Sequence, residues 1–284
     1  MSILVLVSLG LGMVLQPAAE APRYELKAPW QAADFTGDEE LEKILFDFVN
    51  TERTKRGAKP LVLVESLRTA ARQHSAEMLD LGYFSHESPM EQWKTHSQRA
   101  YRAGYLEPSI GENIVHYVAN YELDRERVAY ELMYGKYGWM NSPGHLANLL
   151  SPDWTETGMG VTFAGTRAYA TQMFGNRYWD VEDAWLEDHG LTWRLTAKAK
   201  LLREVTGVSP ALDLDLQRPL HPEVGQTIDL SVTIPVDRRR HTVGLHPANG
   251  PDRFLLIYLY YLDTTKPAEK GWIGPFDPRA EPQR

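Results

Sequence analysis

Trp139-Met140-Asn141-Ser142-Pro143-Gly144-His145 is the stretch on which the reading of this chain turns. Ser142 is a helix-capping residue type, and Pro143 suits the first helical position, where a missing N–H leaves nothing unsatisfied. His145 then falls in the first turn, where the helix dipole disfavours a protonated imidazole. The spacing therefore predicts a short helix that carries a neutral imidazole able to act as a ligand. Outward from it, two upstream stretches hold polar residue types suited to the same site: Tyr83-Phe84-Ser85-His86 and Gly111-Glu112-Asn113-Ile114.

The surrounding pattern is helical. Thr36-Gly37-Asp38-Glu39 reads as a capping box, followed by Leu41, Ile44, Leu45, Phe48 and Val49 at helical spacing until Gly57. A second helix is predicted from Ser66 to Leu81, with Leu67, Ala70, Ala71, His74, Met78 and Leu81 on one face and Gly82 as its stop. His74 on that apolar face reads as a satisfied core histidine. Val128, Leu132, Gly135 and Trp139 predict a third helix leading directly into the one with His145. The period then changes: Gly160 to Ala164 and Ala168 to Phe174 read as strands joined by Gly165-Thr166.

Beyond Gly175, apolar residues alternate at Leu191, Trp193, Leu195, Ala197 and Ala199, at Leu212, Leu214 and Leu216, and at Ile228, Leu230, Val232 and Ile234. Arg253 to Leu262 adds an apolar, aromatic run. Four such runs predict a small antiparallel sandwich. Arg238-Arg239-Arg240-His241 reads as a solvated hairpin turn. With no repeat of fixed period and no low-complexity linker, the helical and strand-rich parts should abut.

The order His86, Gly111-Glu112-Asn113, Trp139-x-x-Ser142-Pro143-Gly144-His145, Asn148-Leu149-Leu150-Ser151-Pro152, Gly158-Met159-Gly160-Val161 and Tyr169 to Gly175 resembles the bacterial branch of the CAP superfamily. This superfamily comprises the cysteine-rich secretory, antigen 5 and pathogenesis-related proteins and is also called SCP-like. The resemblance runs from about Asp38 to Gly175 and implies an α+β fold in which an α-β-α sandwich precedes the β-sandwich-like domain. The expected division is a signal peptide over 1–21, a CAP domain over 22–176 and a β-rich C-terminal domain over 177–284.

In the superfamily, two histidines and two glutamates line a cleft and can hold a divalent metal. The resemblance places His86, Glu112 and His145 in three of these roles, and Ser142 stands where the second glutamate is usual. Two imidazoles and one carboxylate can bind zinc and leave a position for water. Spacing alone does not make these residues a metal motif. Three functions stay open: a cleft that binds a small or lipid-like ligand or a divalent metal, a metal-dependent hydrolase, and a structural or adhesive cell-surface module acting through the β domain. Glu112 is either a general base or a carboxylate that ties its loop to the backbone. Ser85 and Ser142 are weaker candidates as nucleophiles. Asn113 should pin a turn, Trp139 and Phe174 should fill the core, and Gly111, Gly144, Gly158 and Gly160 should allow close approach or positive φ. Arg99 should order the chain between His86 and Glu112 through an ion pair.

Composition narrows the setting. The 284 residues carry a net charge of −8, which gives no support to a nucleic-acid partner, and no cysteine, which excludes a disulfide scaffold. Ile3 to Leu15 is an apolar run without charge, followed by Ala18, Ala19 and Ala21. It has the length of a signal-peptide core and lacks the usual basic residue before it. Cleavage after Ala19 fits better than after Ala21, because Pro22 follows the latter. The expectation is a secreted or periplasmic protein with no transmembrane span in the mature chain.

Overall fold

The computed structural model describes residues 20–25, 37–105, 109–122, 124–213, 215–248, 257–270 and 272–274. Most of the expected signal peptide, Thr36, Leu214 and the start of the Arg253 to Leu262 run lie outside them.

The first half is three-layered. Helix α1 (Glu39–Lys55) is capped by Asp38, whose carboxylate accepts from Leu41 N at 3.1 Å. Helix α2 (Glu65–Leu81) ends at Gly82 in the left-handed region, as its sequence requires. Helix α3 (His96–Arg102) begins with a Thr95–Gln98 capping box. Helices α4 (Arg125–Tyr134) and α5 (Pro143–Leu150) follow. The third helix therefore does not run through Trp139. It stops at Gly135, and Trp139–Asn141 form a separate 3-10 turn, so the apolar spacing across residues 128–139 joined two elements that pack on one core.

The sheet between the helices runs β2 (Val62–Leu63), β4 (Glu156–Ala164), β5 (Arg167–Gly175), β3 (Ile110–Val118), with only the β2–β4 pair parallel. The predicted hairpin about Gly165-Thr166 is the β4–β5 connection. Alternation assigns the two faces. Met173 packs with Leu67, Ala70, Ala71 and Ala100, whereas Met159, Val161, Ala170 and Phe174 pack with α1, α4 and Trp139. Gly158 and Gly160 lie directly under α2, where an added Cβ would come within 2.1 Å of its backbone. Any side chain there would force the helix off the sheet. Gly144 needs no such freedom, since its surroundings are open.

The second half is a two-sheet sandwich. One sheet runs β1 (Arg23–Glu25), β6 (Trp179–Asp188), β7 (Thr192–Leu201), β10 (Thr227–Pro235). The other runs β13 (Trp272–Gly274), β12 (Ile257–Asp263), β11 (Arg240–Ala248), β8 (Gly207–Leu212), β9 (Asp215–Leu216). Along β7, Trp193, Leu195, Ala197, Ala199 and Leu201 are buried in alternation and meet Val208, Val243, Leu245 and Leu262 of the opposite sheet. Leu191, expected to belong to that alternation, precedes the strand and is 87% exposed. Leu216 is exposed too, because β9 is a two-residue edge strand.

Two findings bear on the division at 176. The buried apolar clusters separate into sets within 41–174 and 179–268. Yet β1 pairs with β6, so residues 23–25 belong with the sandwich rather than with the first half. The junction is polar: Arg177 pairs with Glu156 at 3.0 Å and Asp180 at 2.9 Å, and Tyr105 donates to Glu156 at 2.6 Å.

Candidate functional site

Glu112 is the best-held group of the expected site. It lies on β3, buried, and Arg99 of α3 reaches its Oε2 at 2.6 Å. Arg99 is itself fully buried and also donates to the carbonyls of His86 (3.0 Å), Trp93 (3.1 Å) and Lys94 (3.0 Å). One guanidinium thereby fixes the segment between His86 and Glu112, as the sequence suggested. Burial alone would raise the Glu112 carboxyl. The charge of Arg99 and the hydrogen bond from His86 outweigh it and hold the group at about 2. A carboxylate held that low is a weak proton acceptor, which argues against the general-base role and for the tying role.

His86 donates through Nδ1 to Glu112 Oε1 at 2.8 Å, and its ring is half exposed. The carboxylate thus fixes the tautomer and leaves Nε2 as the nitrogen available to a ligand. Ser85, next to it, has its Oγ accepting from Glu87 N at 3.1 Å, so it turns toward its own loop.

His145 reaches this neighbourhood through asparagines. Asn113 donates to the His145 carbonyl at 3.1 Å, and its own carbonyl oxygen accepts from Asn148 at 3.0 Å. Asn148 in turn accepts from Trp154 Nε1 at 2.7 Å. Asn113 therefore locks α5 against β3 instead of pinning a turn. Gly111 leaves room for the Trp154 ring, which a Cβ would approach to 2.8 Å. Below, Arg53 is fully buried and caps the C-terminal end of α5, donating to the Leu149 carbonyl at 2.6 Å and that of Ser151 at 3.1 Å. Ser142 is the residue before α5, but its hydroxyl makes no capping bond.

Burial holds the His145 imidazole below its ordinary value, and the charge of His86 adds to the effect. The direction is the one read from the helix N-terminus, but its causes are burial and His86. Its Nδ1 is buried without a hydrogen-bond partner among the described residues. Two more histidines border the cluster. His74 is fully buried, donating from Nε2 to the Ser85 carbonyl at 2.9 Å and accepting from Tyr83 at 3.3 Å. Burial pushes it down to about 4, so it is a neutral core residue, as expected. His96, which motif reading passed over, feels both Glu112 and Arg99 and is lowered by burial. Nothing in its local sequence marks it, because only the fold carries the start of α3 to Glu112.

The donor set does not suit a zinc ion held by His86, Glu112 and His145 together. Both Glu112 oxygens are taken, one by His86 and one by Arg99, and among the described residues no three His, Asp or Glu side chains gather as a metal-binding group.

Residues 46–174 match the model of the cysteine-rich secretory protein (CAP) family, and this part of the chain is a CAP domain. The uncharacterised protein YkwD of Bacillus subtilis is 34% identical over 125 residues, 44% of each chain. The uncharacterised membrane protein YlbC of the same organism is 31% identical over 140 residues, 48% of this chain and 35% of its own. The chain thus spans less than half the length of these curated relatives. Among solved structures, an extracellular protein containing an SCP domain from Bacillus anthracis is 28% identical, covering 49% of this chain and 41% of that one with a TM-score of 0.40. An outer surface protein of Borrelia burgdorferi is 19% identical, covering 50% of this chain and 99% of its own, also at 0.40. Among the described residues no helix is long and apolar enough to cross a membrane.

Proposed function

We propose that this is an exported protein, secreted or periplasmic, whose CAP domain binds a small or lipid-like ligand in the cleft bordered by His86, Glu112 and His145. The observation that carries the reading is the orientation of His86. Its Nδ1 is committed to a buried carboxylate, so a half-exposed ring offers one nitrogen outward at fixed angle. Glu112 serves as the support for that ring and not as a third ligand atom. His145, neutral and with an unmatched Nδ1, supplies a second polar group for orienting a ligand. Polar groups of this kind at a cleft fix orientation, while neighbouring apolar surface supplies affinity. Export is supported by the uncharged run Ile3 to Leu15 and the alanines after it. The division near residue 176 also belongs to this reading, with the β-rich part acting as a separate unit.

Elemental analysis and native mass spectrometry of full-length protein, purified from an exporting host without added metal, test the proposal. The expected result is a co-purifying organic molecule in the wild type that His86→Ala loses, with substoichiometric zinc in both. Stoichiometric zinc in the wild type that disappears in Glu112→Gln would overturn it and favour the metal-dependent hydrolase.

A further inference from the structure

Two turns at one end of the C-terminal sandwich meet on a single buried imidazole, and a third loop is tied to one of them. His241, at the start of β11, has a fully buried side chain and stands opposite Leu262 of β12. Its Nδ1 lies 2.7 Å from Asp213 Oδ2 in the β8–β9 turn, and its Nε2 lies 2.9 Å from Asp237 Oδ1 in the β10–β11 hairpin. Ionised carboxylates only accept hydrogen bonds, and a neutral imidazole has one N–H to give. Both contacts are hydrogen bonds only when the ring is an imidazolium.

The surroundings fit a charged ring. Asp237 is held at about 2, first by the hydrogen bond from Arg239 and then by that from His241, so it is ionised. The second oxygen of Asp213 accepts from Thr242 N at 2.8 Å. Among the described residues the other charges at this end include Arg239 on Asp237, Arg240 and Lys266 beside Asp263, and Arg238 and Asp215 at the two turns. The two turns need outside support, because Asp213 (φ 51°) and Arg238 (φ 62°) are non-glycine residues in the left-handed region. The third loop is tied to the hairpin, since Thr264 N donates to the Arg239 carbonyl at 2.9 Å and Arg239 N to Thr264 Oγ1 at 3.0 Å.

We propose that His241, as an imidazolium held between Asp213 and Asp237, is a pH-sensitive clasp that closes the β8–β9 turn and the β10–β11 hairpin onto one another. Losing the proton removes one hydrogen bond and turns a ring lone pair toward a carboxylate less than 3 Å away. The two strained turns are then released together, and the Thr264 loop with them.

The test uses the full-length protein. Imidazole 15N spectra follow the His241 proton as pH is raised, while amide exchange of Arg239, Thr242 and Thr264 is referred to amides of the β7–β10 ladder, which cancels the intrinsic pH effect. The expected result is that the relative protection of the three amides falls at least tenfold as the ring becomes neutral. Protection that persists over a neutral ring would overturn the clasp. Asp237→Asn is the second arm, because an amide can accept from or donate to the ring and so satisfies a neutral imidazole. In that variant the ring should lose its proton at lower pH than in the wild type without opening the loops. An unchanged titration, or loops that open with it as before, would equally overturn the proposal.

Discussion

The CAP domain and the sandwich that follows it bury polar groups in different ways. In the CAP domain whole ion pairs are taken inside: Arg99 on Glu112, and Arg72 on Glu42 at 2.7 Å, with Arg53 buried against carbonyl groups. The sandwich fills its core with alternate apolar side chains around Trp179 and Trp193, and among its described residues the buried ionisable groups, His241 and Asp263, lie at the loop end. The difference shows where each half is vulnerable. A buried ion pair adds little over an apolar replacement, but losing one partner strands the other at a cost of several kcal/mol. An alternating core fails by loss of volume.

The largest expected effects come from one substitution in each half. Arg99→Met should destabilise the CAP domain by about 3–5 kcal/mol, since the buried Glu112 carboxylate loses its guanidinium partner and keeps only the hydrogen bond from His86. Adding Glu112→Gln should recover part of the loss. Trp193→Ala should destabilise the sandwich by a similar amount, about 3–5 kcal/mol, through its cavity. Hydrogen exchange read separately over 46–174 and 179–248 locates each loss. If either substitution weakened both halves equally, the contrast between them would fail.

Acid gives the next largest effect. His74 has a folded value of about 4 against 6.5 for the free side chain. The native state therefore resists the proton, so stability is full above pH 6.5 and is lost as pH falls toward 4, by about 3 kcal/mol. Urea unfolding of the CAP domain at about pH 7.5 and about pH 4.5 should show this, and His74→Phe should flatten it. A wild-type midpoint that does not move between these pH values would contradict the neutral buried state.

The smallest effect tests the strand reading itself. Leu191→Ser should change stability by less than about 0.5 kcal/mol, because the side chain is 87% exposed despite its place in the alternating pattern. A loss comparable to that at Trp193 would mean that Leu191 is covered.

The CAP part was legible because its signals are local. Helix faces, the αL stop at Gly82 and the β4–β5 hairpin follow from spacing and turn residues, and the ordered motifs carried the rest. What misled was pattern spanning a break, as at Gly135, where two elements share a core and so share a period. In the sandwich, β6 and β8 escaped notice because acidic residues interrupt the first and Pro210 the second, blurring alternation. At the site, His86, Glu112, His145 and Arg99 were all named from sequence. The division of labour between Glu112 and His86 was not, since it depends on which carboxylate oxygen meets which nitrogen. His96 was passed over because Glu112 and Arg99 reach it only through the fold, and His241, read as part of a solvated turn, is instead buried, with Asp213 brought to it from the β8–β9 turn.

Arg53 sets an order of assembly. It joins α1 to the Leu149 carbonyl across 96 positions of chain, and α5 has only eight residues, too few to persist alone in water. During synthesis the segments bearing His86 and Glu112 emerge before the one bearing His145 can be anchored. A chain halted before residue 149 would lack both the carbonyl that holds Arg53 and the strand β5 on which β3 pairs, so neither α5 nor Glu112 would yet be held in place.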